Sequence, residues 1–327
     1  MSAPLPNQVM QCMEVWGGNA AVDTGVVITG LDAWIYARPY HDAVGGGDVY
    51  YVSSCATGRV TRLLLADVSG HGSDVADIAG KLRALMRRNV NFLDQGRFVG
   101  ELNSQFAQLS DAGTFATALA MTFFGPTRRL TLCNAGHPPP LLYRASRRSW
   151  EYVQRDGRAA NLPWGIETIC NYDQFDVPLA VGDMVLCYTD SLPEARVGIG
   201  AGELLGSASV LDIVQSLPVD PPGELIPRLL AAIEAQATLQ EDDATILLFR
   251  PNGNPATVDG RVKILAPVRL LSALVKSLRP GAEPMAWPDL NLPNLAGWAI
   301  PALNRLYRAR TMPNRKDNDL AQSRKDA

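Results

Sequence analysis

Four short acidic turns, each set at the end of a strand-like segment, are the residues whose types and spacing promise chemistry. They are Gly46-Gly47-Asp48, Asp67-Val68-Ser69-Gly70-His71-Gly72, Tyr188-Thr189-Asp190 and Asp242-Asp243-Ala244-Thr245. Carboxylates are hard oxygen donors, suited to Mg²⁺ or Mn²⁺, which take octahedral oxygen sets and keep several waters. Two such ions side by side lower the pKa of a shared water and clamp the oxygens of an in-line displacement. Turns spread from Asp48 to Asp243 belong to no single loop, so only a fold that gathers strand ends at one edge unites them. The glycines Gly46, Gly47, Gly70 and Gly72 suit that task, because they let backbone approach an ion closely and accept φ > 0.

Taken singly, each motif has a plainer reading. Gly-Gly-Asp is an ordinary turn, as is Val181-Gly182-Asp183, and Asp183 is given no metal role. Asp190 alone reads as a cap or strand-end turn, and Asp242-Asp243 alone as a solvated acidic pair in which either carboxylate is open as the donor. A phosphate-binding glycine loop is not expected, since neither glycine cluster is followed by Lys-Ser/Thr and the first leads into a strand. Cys12, Cys55, Cys133, Cys170 and Cys187 form no CxxC pair, and His41, His71 and His137 have no close spacing, which argues against zinc. The signal is the joint order of the four turns together with the six-residue DVSGHG run.

The elements that must position these turns are mostly strands. Leu31 to Ala37, Val49 to Ser53 and Val60 to Ala66 read as strands, the last apolar enough for burial on both faces. Asp74 to Asn91 carries Val75, Ile78, Ala79, Leu82, Leu85 and Met86 at helical spacing after Ser73, an N-cap residue, and Phe98 to Leu109 is a second helix. Phe115 to Phe124, Leu130 to Asn134 and Leu141 to Tyr143 read as sequential antiparallel strands. Strands near Asn171 to Val177 and Met184 to Thr189, helices over Val210 to Ser216 and Glu224 to Ala237, and a strand over Ala244 to Phe249 complete the series. Antiparallel sheets covered by helices follow from this order.

Composition sets the class: 327 residues, 47% apolar and 19% charged, describe a globular protein with net charge −3. From Thr257 onward there are 12 Lys/Arg against 6 Asp/Glu, so the acidic remainder offers no nucleic-acid surface. Met1 to Val15 lacks the pattern of a signal peptide and no apolar run spans a bilayer, so a cytoplasmic location is expected. Residues 1–30 read as an N-terminal extension, 31–250 as the domain, and 251–327 as a Pro- and Trp-containing basic tail, partly disordered, with a basic amphipathic stretch at Pro267 to Leu278.

The order GGD, DVSGHG, NAGHPP, YTD, DDxT resembles the metal-dependent protein phosphatases (PPM, or type 2C) of the bacterial SpoIIE-like branch, from roughly Leu31 to Arg250. The resemblance implies an α+β fold, an αββα sandwich of two antiparallel sheets flanked by helix pairs, with the metal site at one edge. It implies two Mn²⁺ or Mg²⁺ ions, Asp67 as the bridging carboxylate and the Val68 backbone carbonyl as a further ligand. Asp190 and Asp242 would hold the second ion, the first aspartate of its pair being favoured over Asp243, and Asp48 would act beside the first ion. His137, in Asn134-Ala135-Gly136-His137-Pro138-Pro139, is expected to shape a turn near the site. Two features depart from the family: Ser191 stands where glycine is more usual, and no arginine is clearly a phosphate clamp. Arg38 is a candidate for that role, while Arg62 is expected to face solvent.

The implied activity is hydrolysis of phosphoserine or phosphothreonine on a regulatory protein, a STAS-domain anti-sigma-factor antagonist of a partner-switching pathway. The alternatives are a non-catalytic interaction module of the same fold, disfavoured because clustered carboxylates are costly to a mere scaffold, and a two-metal hydrolase of small phosphoesters. The residues before Leu31 are too few for a sensor domain, so a signal is expected in trans, or by self-association as a homodimer through the Asp74 to Asn91 helix.

Overall fold

The alternating direction of successive side chains along each strand decides the layering. The computed structural model describes residues 8–10, 15–54, 59–70, 73–89, 95–109, 113–154, 161–168, 170–198, 203–239 and 242–254. Cys12, Cys55, His71, Gly72 and the stretch from Pro267 to Leu278, with the rest of the C-terminal tail, lie outside these residues. In chain order come β1 (Gln8–Val9), β2 (Val15–Gly18), β3 (Val22–Ile28), β4 (Leu31–Arg38), β5 (Asp48–Ser54) and β6 (Val60–Val68), then helices α1 (Ser73–Asn89) and α2 (Gln95–Leu109). Next are β7 (Ala116–Phe124), β8 (Arg129–Ala135), β9 (Leu141–Arg144), β10 (Ser149–Tyr152), β11 (Phe175–Pro178) and β12 (Met184–Tyr188). The short β13 (Arg196–Val197), helices α3 (Gly206–Ser216) and α4 (Leu225–Glu234), β14 (Ala237–Thr238) and β15 (Ala244–Pro251) close the series.

One sheet has the order β1-β3-β4-β15-β12-β9-β10 and the other β11-β8-β7-β6-β5-β2. Every pairing in them is antiparallel except β1 with β3. Because successive side chains of a strand face opposite ways, β6 sends Leu63 and Leu65 into the space between the sheets and Leu64, Ala66 and Val68 against α1 and α2. In the same way β15 sends Leu247 and Phe249 inward, and Ile246 and Leu248 toward α3 and α4. Both faces of the central strands are therefore apolar, and the result is the αββα sandwich.

The sheets take in residues before Leu31 that sequence reading set apart as an extension. β3 pairs with β4 along its whole length, and β2 edges the second sheet through β5. Their short, glycine-containing strings give no clear alternation, so pairing with a neighbour, not local pattern, makes them strands. Arg62 also departs from expectation. It sits on the helix-facing side of β6, only 5% exposed, with its guanidinium carbon 4.9 Å from the centre of the Phe98 ring. A cation stacked on an aromatic face under α2 tolerates the burial that the strand position imposes.

Asp183, excluded from metal binding on its turn-like context, has a structural task. Its carboxylate accepts from the backbone N–H of Ala145 and of Ala180 and from Arg144 Nη1, all at 3.0 Å. It thereby ties the turn before β12 to the end of β9.

Candidate metal centre

Strand parity carries the acidic residues to one mouth between the sheets. Asp48 shares the face of Tyr50 and Val52 on β5, and Asp67 that of Leu63 and Leu65 on β6. The two aspartates are direct cross-strand partners. From the other sheet, Thr189 follows the Val185 and Cys187 face of β12, while Asp243 and Thr245 follow the Leu247 and Phe249 face of β15. Asp190 and Asp242 stand one residue further out on the adjoining turns, where β12 and β15 are joined by the Thr189 N–H to Thr245 C=O bond of 3.0 Å. All four acidic turns thus meet at one edge of the sandwich.

The two aspartates of the DDxT run are separated by what they touch. Asp243 is buried and accepts from the backbone N–H groups of Tyr40, at 2.7 Å, and Gly47, at 2.5 Å, so it anchors the loop that delivers Asp48. Asp242 is half-buried, and its negative charge acts on both Asp67 and Asp190. Gly46 and Gly47 are required here by space. A Cβ on Gly46 would come 2.1 Å from Asp243 Oδ1, and one on Gly47 would come 2.8 Å from the Val68 carbonyl oxygen.

Burial and mutual repulsion dominate the electrostatics. Asp48, buried, has its pKa raised well above the usual carboxylate range, first by burial and then by Asp67, while the hydroxyls of Thr245 and, less strongly, of Thr189, which donates to Oδ2 at 2.9 Å, work the other way. Asp67 is pushed up to about 8 by burial, then by Asp190, Asp242, Asp243 and Glu194. Asp190 rises to about 6, through burial first and then Glu194 and Asp242. Among the described residues no three acidic, histidine or cysteine side chains close around one point tightly enough to enclose an ion. The donor chemistry nevertheless suits hard divalent cations. It consists of the carboxylates of Asp67, Asp190 and Asp242, the Val68 carbonyl beside the glycine cradle, and Asp48 behind them, with no nitrogen or sulfur among them.

A pH dependence follows for the metal-free chain. Folding raises the pKa values of Asp67 and Asp190 from 3.8, so between pH 4 and 8 the native state binds protons that the unfolded chain has lost. The stability this confers is fully present below pH 4 and is lost as pH rises through about 6 and then about 8. Melting temperature measured in chelator is expected to fall from pH 5 to pH 9, and saturating Mn²⁺ should flatten that fall; a flat or rising profile without metal would contradict the burial of these carboxylates.

Further residues shape the mouth. His137 is buried, and its Nδ1 lies 2.8 Å from the hydroxyl of Thr117, the cross-strand partner of Asp67. Asn134 brackets it, donating to the His137 carbonyl and accepting from the His137 N–H, both at 2.8 Å, around Gly136 at φ +71°. Burial pushes the imidazole down to about 3, so the neutral ring holds the turn. Arg38 pairs with Ala244 at the end of β4 and lines a narrow crevice with Gly46, Asp48 and Asp243. Sequence reading missed Asn19 and Glu194. Asn19 Nδ2 donates to the carbonyls of Gly46, at 3.0 Å, and Ala76 on α1, at 3.2 Å, which links the GGD loop to that helix. Only an acidic residue four positions after Asp190 signals Glu194, whereas nothing in the sequence singles out Asn19.

The family model for SpoIIE, Stage II sporulation protein E, matches residues 57–252, a stretch that holds three of the four acidic turns. The chain belongs to the SpoIIE family. As a SpoIIE-family chain it is 23% identical over 191 residues to the phosphoserine phosphatase RsbU of Bacillus subtilis strain 168, covering 58% of its own length and 55% of RsbU. It therefore spans about half the length of that curated relative. Among solved structures it is similar to the RsbU and RsbW domains of Rv1364c from Mycobacterium tuberculosis. That match has a TM-score of 0.58 and 25% identity, over 78% of this chain and 72% of the other. The SiaA-PP2C domain of Pseudomonas aeruginosa aligns with a TM-score of 0.56 and 23% identity over 67% of this chain and 84% of the other, a likeness of fold. The PPM sandwich is thereby shared, and no helix among the described residues is long and apolar enough to cross a membrane.

Proposed function

We propose that this chain is a Mn²⁺- or Mg²⁺-dependent protein serine/threonine phosphatase acting on a phosphorylated regulatory protein. The observation that carries the reading is the convergence of Asp48, Asp67, Asp190 and Asp242 from two sheets on one edge, in a fold shared with phosphatases. Closing those carboxylates around two ions is part of the proposal. Asp67 would bridge, the Val68 carbonyl would complete the first ion's set with Asp48 beside it, and Asp190 and Asp242 would hold the second. When bound, such a pair supplies an activated water and a clamp for the oxygens of the transferring phosphoryl group. The protein's own contribution is to orient the carboxylates. Asp243 fixes the loop before Asp48 through two backbone N–H groups. Arg38, which lines the crevice beside Asp48, is the candidate among the described residues to attract a phosphoryl oxygen.

A relative named a phosphoserine phosphatase supports a phosphoserine substrate, and the SpoIIE-like resemblance extends the proposal to an anti-sigma-factor antagonist of the STAS type in a partner-switching pathway. The activating signal reaches α1 in trans or through a homodimer, the Asn19 link to the GGD loop being a route inward. Among the described residues the mouth is a strand edge with a narrow crevice lined by Arg38, Asp48 and Asp243, which favours a phosphorylated protein segment over a small phosphoester. The test compares turnover of a phosphoserine STAS protein with that of p-nitrophenyl phosphate and phosphoserine, at equal Mn²⁺. Preference for the protein in kcat/KM is expected, and faster turnover of the small esters would replace this reading with a small-molecule hydrolase.

A further inference from the structure

The Tyr188-Thr189-Asp190 turn contains a residue that the metal reading leaves without a task. Thr189 is fully buried, and its hydroxyl is the meeting point of both sheets. It donates to Asp48 Oδ2 across the seam at 2.9 Å and accepts from the Thr245 N–H of its own sheet at 3.0 Å. Its own N–H is held by the Thr245 carbonyl at 3.0 Å, and Ser191 Oγ lies 3.4 Å from the hydroxyl oxygen. With the backbone pinned on one side and the Thr245 N–H occupying a lone pair, the hydroxyl has Asp48 Oδ2 as its nearest acceptor, at 2.9 Å, while the Thr245 carbonyl oxygen and Ser191 Oγ both stand at 3.4 Å. The partner carboxylate is itself buried and faces Asp67 on the neighbouring strand, a like charge that acts to turn it away.

We propose that Thr189 is a positioning residue for the metal centre, its hydroxyl fixing the rotamer of Asp48 and the spacing of the two sheets at the mouth. This deepens the phosphatase reading and rests on its metal site. Removing the hydroxyl takes away the hydrogen bond that Asp48 Oδ2 accepts across the seam and leaves the Thr245 N–H without its acceptor at the β12–β15 seam, which loosens both halves of the site together. Partners that orient a metal's immediate ligands in this way are typically worth about 10- to 100-fold in affinity or activity. A residue that only packed the seam would lower stability without altering the ions.

The experiment uses the full chain with Thr189→Val, which keeps the β-branched shape, and Thr189→Ser, which keeps the hydroxyl. Mn²⁺ binding is titrated by calorimetry without any phosphosubstrate, and kcat and KM are then measured on the phosphoprotein. Thr189→Val is expected to bind Mn²⁺ roughly 10-fold or more weaker and to lose kcat with KM little changed, whereas Thr189→Ser stays near the unchanged chain in both. Should Thr189→Val fail to fold by circular dichroism, Thr189→Ala, which leaves room for water at the Thr245 N–H, is titrated with the same expectations. Unaltered Mn²⁺ affinity in the hydroxyl-free variant, or equal loss in the serine variant, overturns the assignment. An unsubstituted chain that binds Mn²⁺ yet hydrolyses no phosphoester sinks the phosphatase reading and leaves Thr189's role to be decided by the titration. One that binds no Mn²⁺ or Mg²⁺ overturns both.

Discussion

Asp67→Asn is expected to lower turnover of the phosphoprotein by about 10²-fold or more while leaving the metal-free protein as stable as before, or more so. The two effects have one cause. Asp67 is half-buried opposite Asp48 and within the influence of Asp190, Asp242, Asp243 and Glu194; its desolvation first, and then these charges, raise its pKa to about 8. Such a carboxylate destabilises the empty fold at neutral pH and is worthwhile only where a cation offsets the repulsion. The amide keeps the shape, removes the repulsion and removes the bridge. Asp190→Asn should behave alike with a smaller gain in stability, since its pKa rises only to about 6. Asp183→Asn should do the reverse. Its carboxylate serves two backbone N–H groups and Arg144, so activity stays and stability drops by about 1–3 kcal/mol. Kinetics and chelator-phase melting curves on the three variants check the set. Equal activity across all three would remove the site assignment, and a large loss of stability in Asp67→Asn would mean that the carboxylate serves the fold.

Chelation is expected to abolish turnover, and Mn²⁺ or Mg²⁺ to restore it, because every proposed donor is a carboxylate or a backbone carbonyl. Zn²⁺ should be a poor substitute. It prefers nitrogen and sulfur ligands, while His137 is buried and held in its turn, and of the thiols among the described residues Cys133 sits on β8, Cys170 lies in the loop before β11 and Cys187 of β12 packs in the core against Met121. Since the ligands must lose protons to bind, Mn²⁺ affinity should strengthen as pH rises toward 8, opposite in sign to the stability of the metal-free chain. The measurement is single-turnover hydrolysis in excess EDTA, followed by titration with each cation. Full turnover in EDTA, with no response to Mn²⁺, would defeat the two-ion proposal.

Much of this was legible in the chain. Continuous apolar runs in Val60 to Ala66 and Ala244 to Phe249, and apolar residues at helical period in Asp74 to Asn91, are local signals that the strands and helices obey. The order of the acidic turns pointed to the mouth itself, because a carboxylate at the end of an apolar strand can only project at the sheet's edge. Tertiary structure decided what depends on neighbours distant in sequence. Residues before Leu31 became strands because β4 and β5 offered edges to pair with, and Arg62 was buried because α2 happens to lie over its side of β6. Asp242 and Asp243 are identical in composition, and only the Tyr40 and Gly47 N–H groups, some two hundred residues away, give the second a structural task and leave the first to the mouth. The same holds for Thr189, Asn19 and Glu194. A single hydroxyl, amide or carboxylate carries no periodicity, so its role exists only once two sheets and a helix have brought its partners within reach.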